Sequence, residues 1–226
     1  MTMPFYVPPE QLIKDRAEFA RKGIARGRPI VVIEYTDGVL LLGENPSGSL
    51  QKLGEIYDRI AFAGVGRFNE FETLRVGGIR YADVKGYSYG RADVSARGLA
   101  NAYSQTLGQI FTHELKPYEI EVIIAEVGES DGGTQIYRIQ FDGTLSSVER
   151  FGAMGGGEEP IIALLEERIT EEPDLNTAVA VGAGAIEEAE ERSIAHGDWE
   201  GAVLDRSRPR RKFVRLTGDD IGTARG

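Results

Sequence analysis

Residues 86–90 read Gly86-Tyr87-Ser88-Tyr89-Gly90, a G-x-S-x-G pattern. That spacing presents a serine nucleophile when it forms a sharp turn between a strand and a helix, with acid and histidine partners elsewhere in the chain. Only His113 and His196 are available as the base. The stretch before Gly86 carries a helical pattern rather than a strand pattern, so the context the motif needs is missing. A polar connection between two helices accounts for the same residues. A stand-alone serine hydrolase using Ser88 is therefore the alternative reading.

The remaining glycine clusters carry less chemistry. Gly64-Val65-Gly66 and Gly182-Ala183-Gly184 are fragments of a dinucleotide fingerprint, and neither completes G-x-G-x-x-G. Gly155-Gly156-Gly157 precedes a helix, whose N-terminus attracts anions, but Glu158 and Glu159 occupy that first turn and repel them. Two histidines far apart and no cysteine supply no transition-metal set, so no metal or other cofactor is expected. The densest basic cluster is Arg206, Arg208, Arg210, Arg211, Lys212 and Arg215. It lacks the interleaved aromatics of a single-strand nucleic-acid surface. A solvated hairpin loop, or a contact with an acidic neighbour, fits it better.

The bulk numbers agree. The chain has 226 residues, 41% hydrophobic and 27% charged, the composition of an ordinary globular domain. Its net charge of -10 is the wrong sign for a protein that coats nucleic acid. The absence of cysteine excludes disulfides and thiolate sites. No apolar run approaches the roughly 20 residues that span a bilayer. The first residues, Met1-Thr2-Met3-Pro4-Phe5, lack the features of a signal peptide, and a cytoplasmic location is expected.

The elements that must position these residues follow from periodicity. Pro8-Pro9 suits a helix start, and Ile13, Ala17, Ala20 and Ile24 then fall on one face, giving an amphipathic helix over residues 9–22 with Gly23 as its stop. Strands are predicted at 30–33 and 39–42 around Asp37-Gly38, and at 52–57 and 59–64. Helices follow at 68–83 and 94–115, the second capped by Asp93 and stopped by Pro117. Strands return at 121–127, 135–141 and 147–153. Two more helices, 161–169 and one with Leu175, Ala178, Val179, Gly182, Ala183 and Ile186 on one face, precede strands at 201–204 and 212–216. Strand blocks alternating with helix pairs suit two packed sheets covered on each outer side, rather than a doubly wound parallel fold. A single domain over residues 9–226 is expected, with residues 1–8 as a mobile N-terminal segment.

Particular stretches resemble the actinobacterial branch of the proteasome α-type subunits. They are Ser49-Leu50-Gln51-Lys52-Leu53, Ile56-Tyr57-Asp58-Arg59-Ile60-Ala61-Phe62-Ala63-Gly64, Phe68-Asn69-Glu70-Phe71, Leu99-Ala100-Asn101, Lys116-Pro117-Tyr118-Glu119 and Ser207-Arg208-Pro209-Arg210-Arg211. The match runs over nearly the whole chain. The resemblance implies an α/β (α+β) fold, a four-layer αββα sandwich of the N-terminal nucleophile hydrolase type, with an extra N-terminal helix.

The resemblance also implies a function. Catalytic β-type relatives expose a threonine at the start of the first strand, whose own free α-amine acts as base. Here that strand is reached through Gly27-Arg28-Pro29-Ile30. The implied role is a non-catalytic subunit of a seven-membered α ring, stacked on catalytic β subunits and admitting unfolded, tagged proteins through its pore. Thr2, Met3, Pro4, Phe5, Tyr6, Val7 and Pro8 correspond to the gating tail. Lys52, Gly23 and Gly66 correspond to the pocket that receives the C-terminal tail of a ring-shaped AAA ATPase. The first helix corresponds to the one that packs subunits together. No nucleic-acid or membrane partner is implied.

Overall fold

A computed structural model describes residues 8–128 and 133–225. The framework is set by strands whose alternate residues enter different cores. Strands β1 (Ile30–Tyr35) and β2 (Gly38–Glu44) form a hairpin closed by the Tyr35–Gly38 pair. In β1, Ile30 and Val32 face one core while Val31, Ile33 and Tyr35 face another. In β2, Val39 and Leu41 alternate with Leu40 and Leu42 in the same way. Strands β3 (Leu53–Tyr57), β4 (Ile60–Gly66) and β5 (Ile120–Glu126) repeat the device. Ala61, Ala63, Val65, Ile123 and Ala125 join the first core, and Ile60, Phe62, Ile120, Val122 and Ile124 a third. Strands buried on both faces explain why these segments read as continuous apolar runs.

The later strands are β6 (Gln135–Ile139), β7 (Leu145–Ser147), β8 (Phe151–Met154), β9 (Trp199–Asp205) and β10 (Phe213–Leu216). They complete two five-stranded antiparallel sheets, ordered β10-β9-β2-β1-β8 and β3-β4-β5-β6-β7. The predicted strand at 147–153 is two strands in different sheets. Arg150 adopts a positive φ of 60° between them, and its own backbone carbonyl accepts from Glu34 N at 2.6 Å. The left-handed turn sends the chain from one sheet to the other.

Helices α2 (Phe68–Ser88) and α3 (Ala96–His113) cover the β3–β7 sheet. The cap of α3 is Ser95, which accepts from Gly98 N, rather than Asp93, which lies in a short 3-10 turn. Helices α4 (Glu158–Arg168), α5 (Leu175–Ala189) and α6 (Gly218–Arg225) cover the other sheet. The layers are therefore α, β, β and α. Outside them, α1 (Pro9–Ile24) crosses one end of the sandwich and inserts Ala20 and Ile24 into the core between the sheets. Ile13 of the predicted apolar stripe is exposed instead. Arg16 of α1 hydrogen-bonds the Ile110 carbonyl at 3.4 Å and also reaches that of Glu114. No helix among the described residues is long and apolar enough to cross a membrane.

Candidate functional site

Ser88 is the last residue of α2 and is exposed. A helix precedes it and a short 3-10 turn, Arg91–Asp93, follows, so no elbow forms. His113 lies at the end of α3 with its ring against the Gln109 carbonyl, and His196 packs on Gly222 of α6. Among the described residues no hydrogen bond joins Ser88 to either histidine. The basic cluster is mostly exposed, with Arg208, Arg210, Arg211 and Arg215 at the surface, but several of its members are paired within the chain. Lys212 is buried, donating to the carbonyls of Arg206 and Arg208, while Arg211 pairs with Glu55 and Arg215 with Glu200. The hairpin loop at residues 207–211 is solvated, as expected, and is anchored to its own domain at its base by Lys212 and Arg211. Glu158, at the start of α4, is held by Arg138, which keeps its carboxylate beside the glycine turn.

The residues singled out by resemblance gather at the end of the sandwich crossed by α1. Gly66 closes β4 with φ of 106°, a conformation that favours glycine, and a Cβ there would overlap the Glu119 carbonyl oxygen. Gly23 lies inside α1, not at its stop, because the helix continues to Ile24. Its glycine is required by the Glu119 side chain, whose Cβ and Cγ would lie 2.8 Å from an added Cβ. Gly23 and Gly66 therefore meet across one buried glutamate.

Glu119 is 7% exposed and is held by Arg67 and by Lys116 at 3.0 Å. Glu70 binds Lys116 at 2.6 Å and accepts from Glu119 N at 2.7 Å. Sequence reasoning did not assign Glu119, Glu70 or Lys116 a role. The signal was present, since Glu70 and the Lys116–Glu119 stretch belong to the segments that carry the family resemblance. Gly27, packed on Val65 and Gly66, was likewise not singled out.

Lys52 stands at the same end. Its carbonyl accepts from Gly64 N at 3.0 Å, two residues along the chain from Gly66. Its amine donates to the Glu44 carbonyl at 2.9 Å. Burial pushes this amine below the ordinary lysine range, against the pull of Glu200 and Glu44, with Arg28 adding to the downward shift. The Glu200 carboxylate bridges the sheets here, accepting from the backbone N of Lys52 and of Leu53, each at 3.0 Å. Of the expected gating tail, Thr2, Met3, Pro4, Phe5, Tyr6 and Val7 lie outside the described residues. Pro8 precedes α1, and its carbonyl accepts from Leu12 N at 3.1 Å.

Two five-stranded antiparallel sheets packed face to face between helix layers define a sandwich of the N-terminal nucleophile hydrolase type. The family model described as "Proteasome subunit" matches residues 24–201. Proteasome subunit alpha of Xylanimonas cellulosilytica is 54% identical, over 100% of this chain and 97% of the relative. That of Thermomonospora curvata is 54% identical over 98% and 96%, and that of Kineococcus radiotolerans 56% over 96% and 95%. The chain belongs to the proteasome subunit family, among its α-type members.

Proposed function

We propose that the chain is a non-catalytic subunit of the proteasome core, one of seven in a ring that walls the antechamber and admits unfolded substrates to a catalytic β ring. The observation that carries this reading is the start of β1. A nucleophile of this fold needs its own free α-amine as the base. Here Ile30 follows Pro29 in mid-chain, and α1 lies across that end with Ala20 and Ile24 in the inter-sheet core. The amine the chemistry requires is a peptide nitrogen, so peptide hydrolysis falls to the partner subunit. Residues 1–8 act as the gate over the pore. Lys52, with Gly23 and Gly66, takes the C-terminal tail of a ring-shaped AAA ATPase, which delivers tagged proteins in the cytoplasm.

The test is to purify the chain alone and with its candidate β subunit, measuring native mass and peptide hydrolysis. Ring-sized particles that hydrolyse peptide only with β, and do so several-fold faster once residues 1–8 are deleted, support the reading. Hydrolysis by this chain alone, abolished by Ser88→Ala, would overturn it in favour of a serine hydrolase. Unchanged hydrolysis after the deletion would remove the gate.

A further inference from the structure

Helix α1 is held to its own domain by little apolar surface. Ala20 and Ile24 are its only buried residues, with Ala17 packed beside them. Much of the rest is contact between cations and rings. Arg16 and Arg21 lie over Phe111 and Phe141, each at 5.6 Å, and the Lys116 amine lies 5.8 Å from the Phe19 ring. Near the C-terminal end, Gly23 rests on Glu119. The three atoms nearest to where a Cβ of residue 23 would stand all belong to that side chain, Oε1 at 2.5 Å and Cβ and Cγ at 2.8 Å.

Glu119 is itself placed by charge. Its Oε2 is met by Arg67, from the corner between β4 and α2, and by Lys116 at 3.0 Å. Neither cation is aligned on that oxygen as a hydrogen bond, so the carboxylate is held by attraction from two sides rather than by a directed bond. Both cations can lose it. Lys116 keeps Glu70 at 2.6 Å, and the Arg67 side chain, 63% exposed, keeps water. The seat under Gly23 can therefore change while the fold stands. Residues 1–8 lead directly into α1 at Pro9. The helix runs about 21 Å from Gly23 back to Pro9, so a tilt of about 5° at Gly23 carries its start through about 2 Å. Arg16, the tether midway, reaches the Ile110 and Glu114 carbonyls through a long side chain that can follow such a tilt.

We propose that Glu119 is a positioning residue for the gate. Its charge, drawn onto Arg67 and Lys116, fixes the seat beneath Gly23 and with it the tilt at which α1 delivers residues 1–8 to the pore. This role rests on the gate reading above and adds to it the group that sets the closed position.

The experiment uses the assembled α–β particle, with native mass confirming assembly of each variant, and a fluorogenic tripeptide cut by the β subunit. Glu119→Gln keeps the shape under Gly23 and removes the charge. It is expected to raise unassisted hydrolysis roughly two- to fivefold, the weight of one partly exposed ion pair, and to leave unchanged the rate of particles that lack residues 1–8. Arg67→Gln is expected to act in the same way, and Arg67→Lys to return the parent rate. If Glu119→Gln hydrolyses at the parent rate, or changes the gate-deleted particle by the same factor, the positioning role is wrong while the gate stands. Should Glu119→Gln not assemble, Arg67→Gln, at its exposed position, decides between the same outcomes. If deletion of residues 1–8 leaves the parent rate unchanged, the gate reading falls and this role with it.

Discussion

Helices α1 and α5 are of nearly equal length, 16 and 15 residues, yet they relate to the fold in opposite ways. Helix α5 buries Ala178, Val179, Gly182, Ala183, Ala185 and Ile186 against its own sheet and α4. Helix α1 buries only Ala20 and Ile24, and leaves Leu12, Ile13 and Phe19 about half exposed at 50, 56 and 47%. Both sequences carry apolar stripes at helical spacing. The stripe on α5 is satisfied within the chain. On α1 only Ile13 of the stripe is left uncovered, with Leu12 and Phe19 beside it, an apolar surface suited to cover by another chain. An amphipathic pattern thus states that a face must be covered, without saying which chain covers it.

The largest effect expected from this contrast is in α5. Ile186 is fully buried, and Ile186→Ala should cost about 3 kcal/mol of stability, from lost transfer energy and the cavity left behind. Urea unfolding of the isolated chain measures it. A loss under 1 kcal/mol would mean that α5 is less tightly built in than its burial indicates. A smaller loss should follow Gly182→Val. A Cβ at residue 182 would lie 3.1 Å from Ile33 Cδ1 and 3.2 Å from Val31 Cγ2, so the added methyls lift the helix from the sheet at about 2 kcal/mol. Neutral behaviour would show that the helix can slide and that its small residues are not there for close approach.

The same contrast explains what could be read from the residues alone. Strands that feed two cores announce themselves as unbroken apolar runs, so Ile30 to Ile33 and Val39 to Leu42 were legible at once. The break between β7 and β8 was not, because it depends on a positive φ at Arg150, a residue type that gives no warning of one. Helix α6 escaped notice because Gly218 and Gly222 dilute its pattern, although a signal stood at its start. Thr217 Oγ accepts from Asp220 N at 3.1 Å and the Asp220 carboxylate accepts from Thr217 N at 2.8 Å, a reciprocal cap readable as Thr-x-x-Asp. At the candidate site, Lys52, Gly23 and Gly66 were visible only through family resemblance. Gly23 looks like a helix stop and Gly66 like a turn until Glu119, some fifty residues or more away, is brought between them by the β4–β5 pairing.

The smallest effect on the chain itself is expected in α1, and it is the sharpest test of the comparison. Leu12 and Ile13 sit in the first turns of α1, are exposed, and belong to none of the three core clusters. Replacing both, Leu12→Ser with Ile13→Ser, should change the stability of the isolated chain by no more than about 0.5 kcal/mol, as for other surface positions. The same pair should prevent the ring from forming, because the apolar area that drives association is removed while the fold is kept. Urea unfolding and native mass with the β subunit read the two quantities separately. A stability loss near that of Gly182→Val would mean that α1 folds back on its own chain in solution. Unimpaired ring assembly would mean that the exposed stripe is not an interface, and the distinction between the two helices would then reduce to position on the sandwich rather than to which chain each one serves.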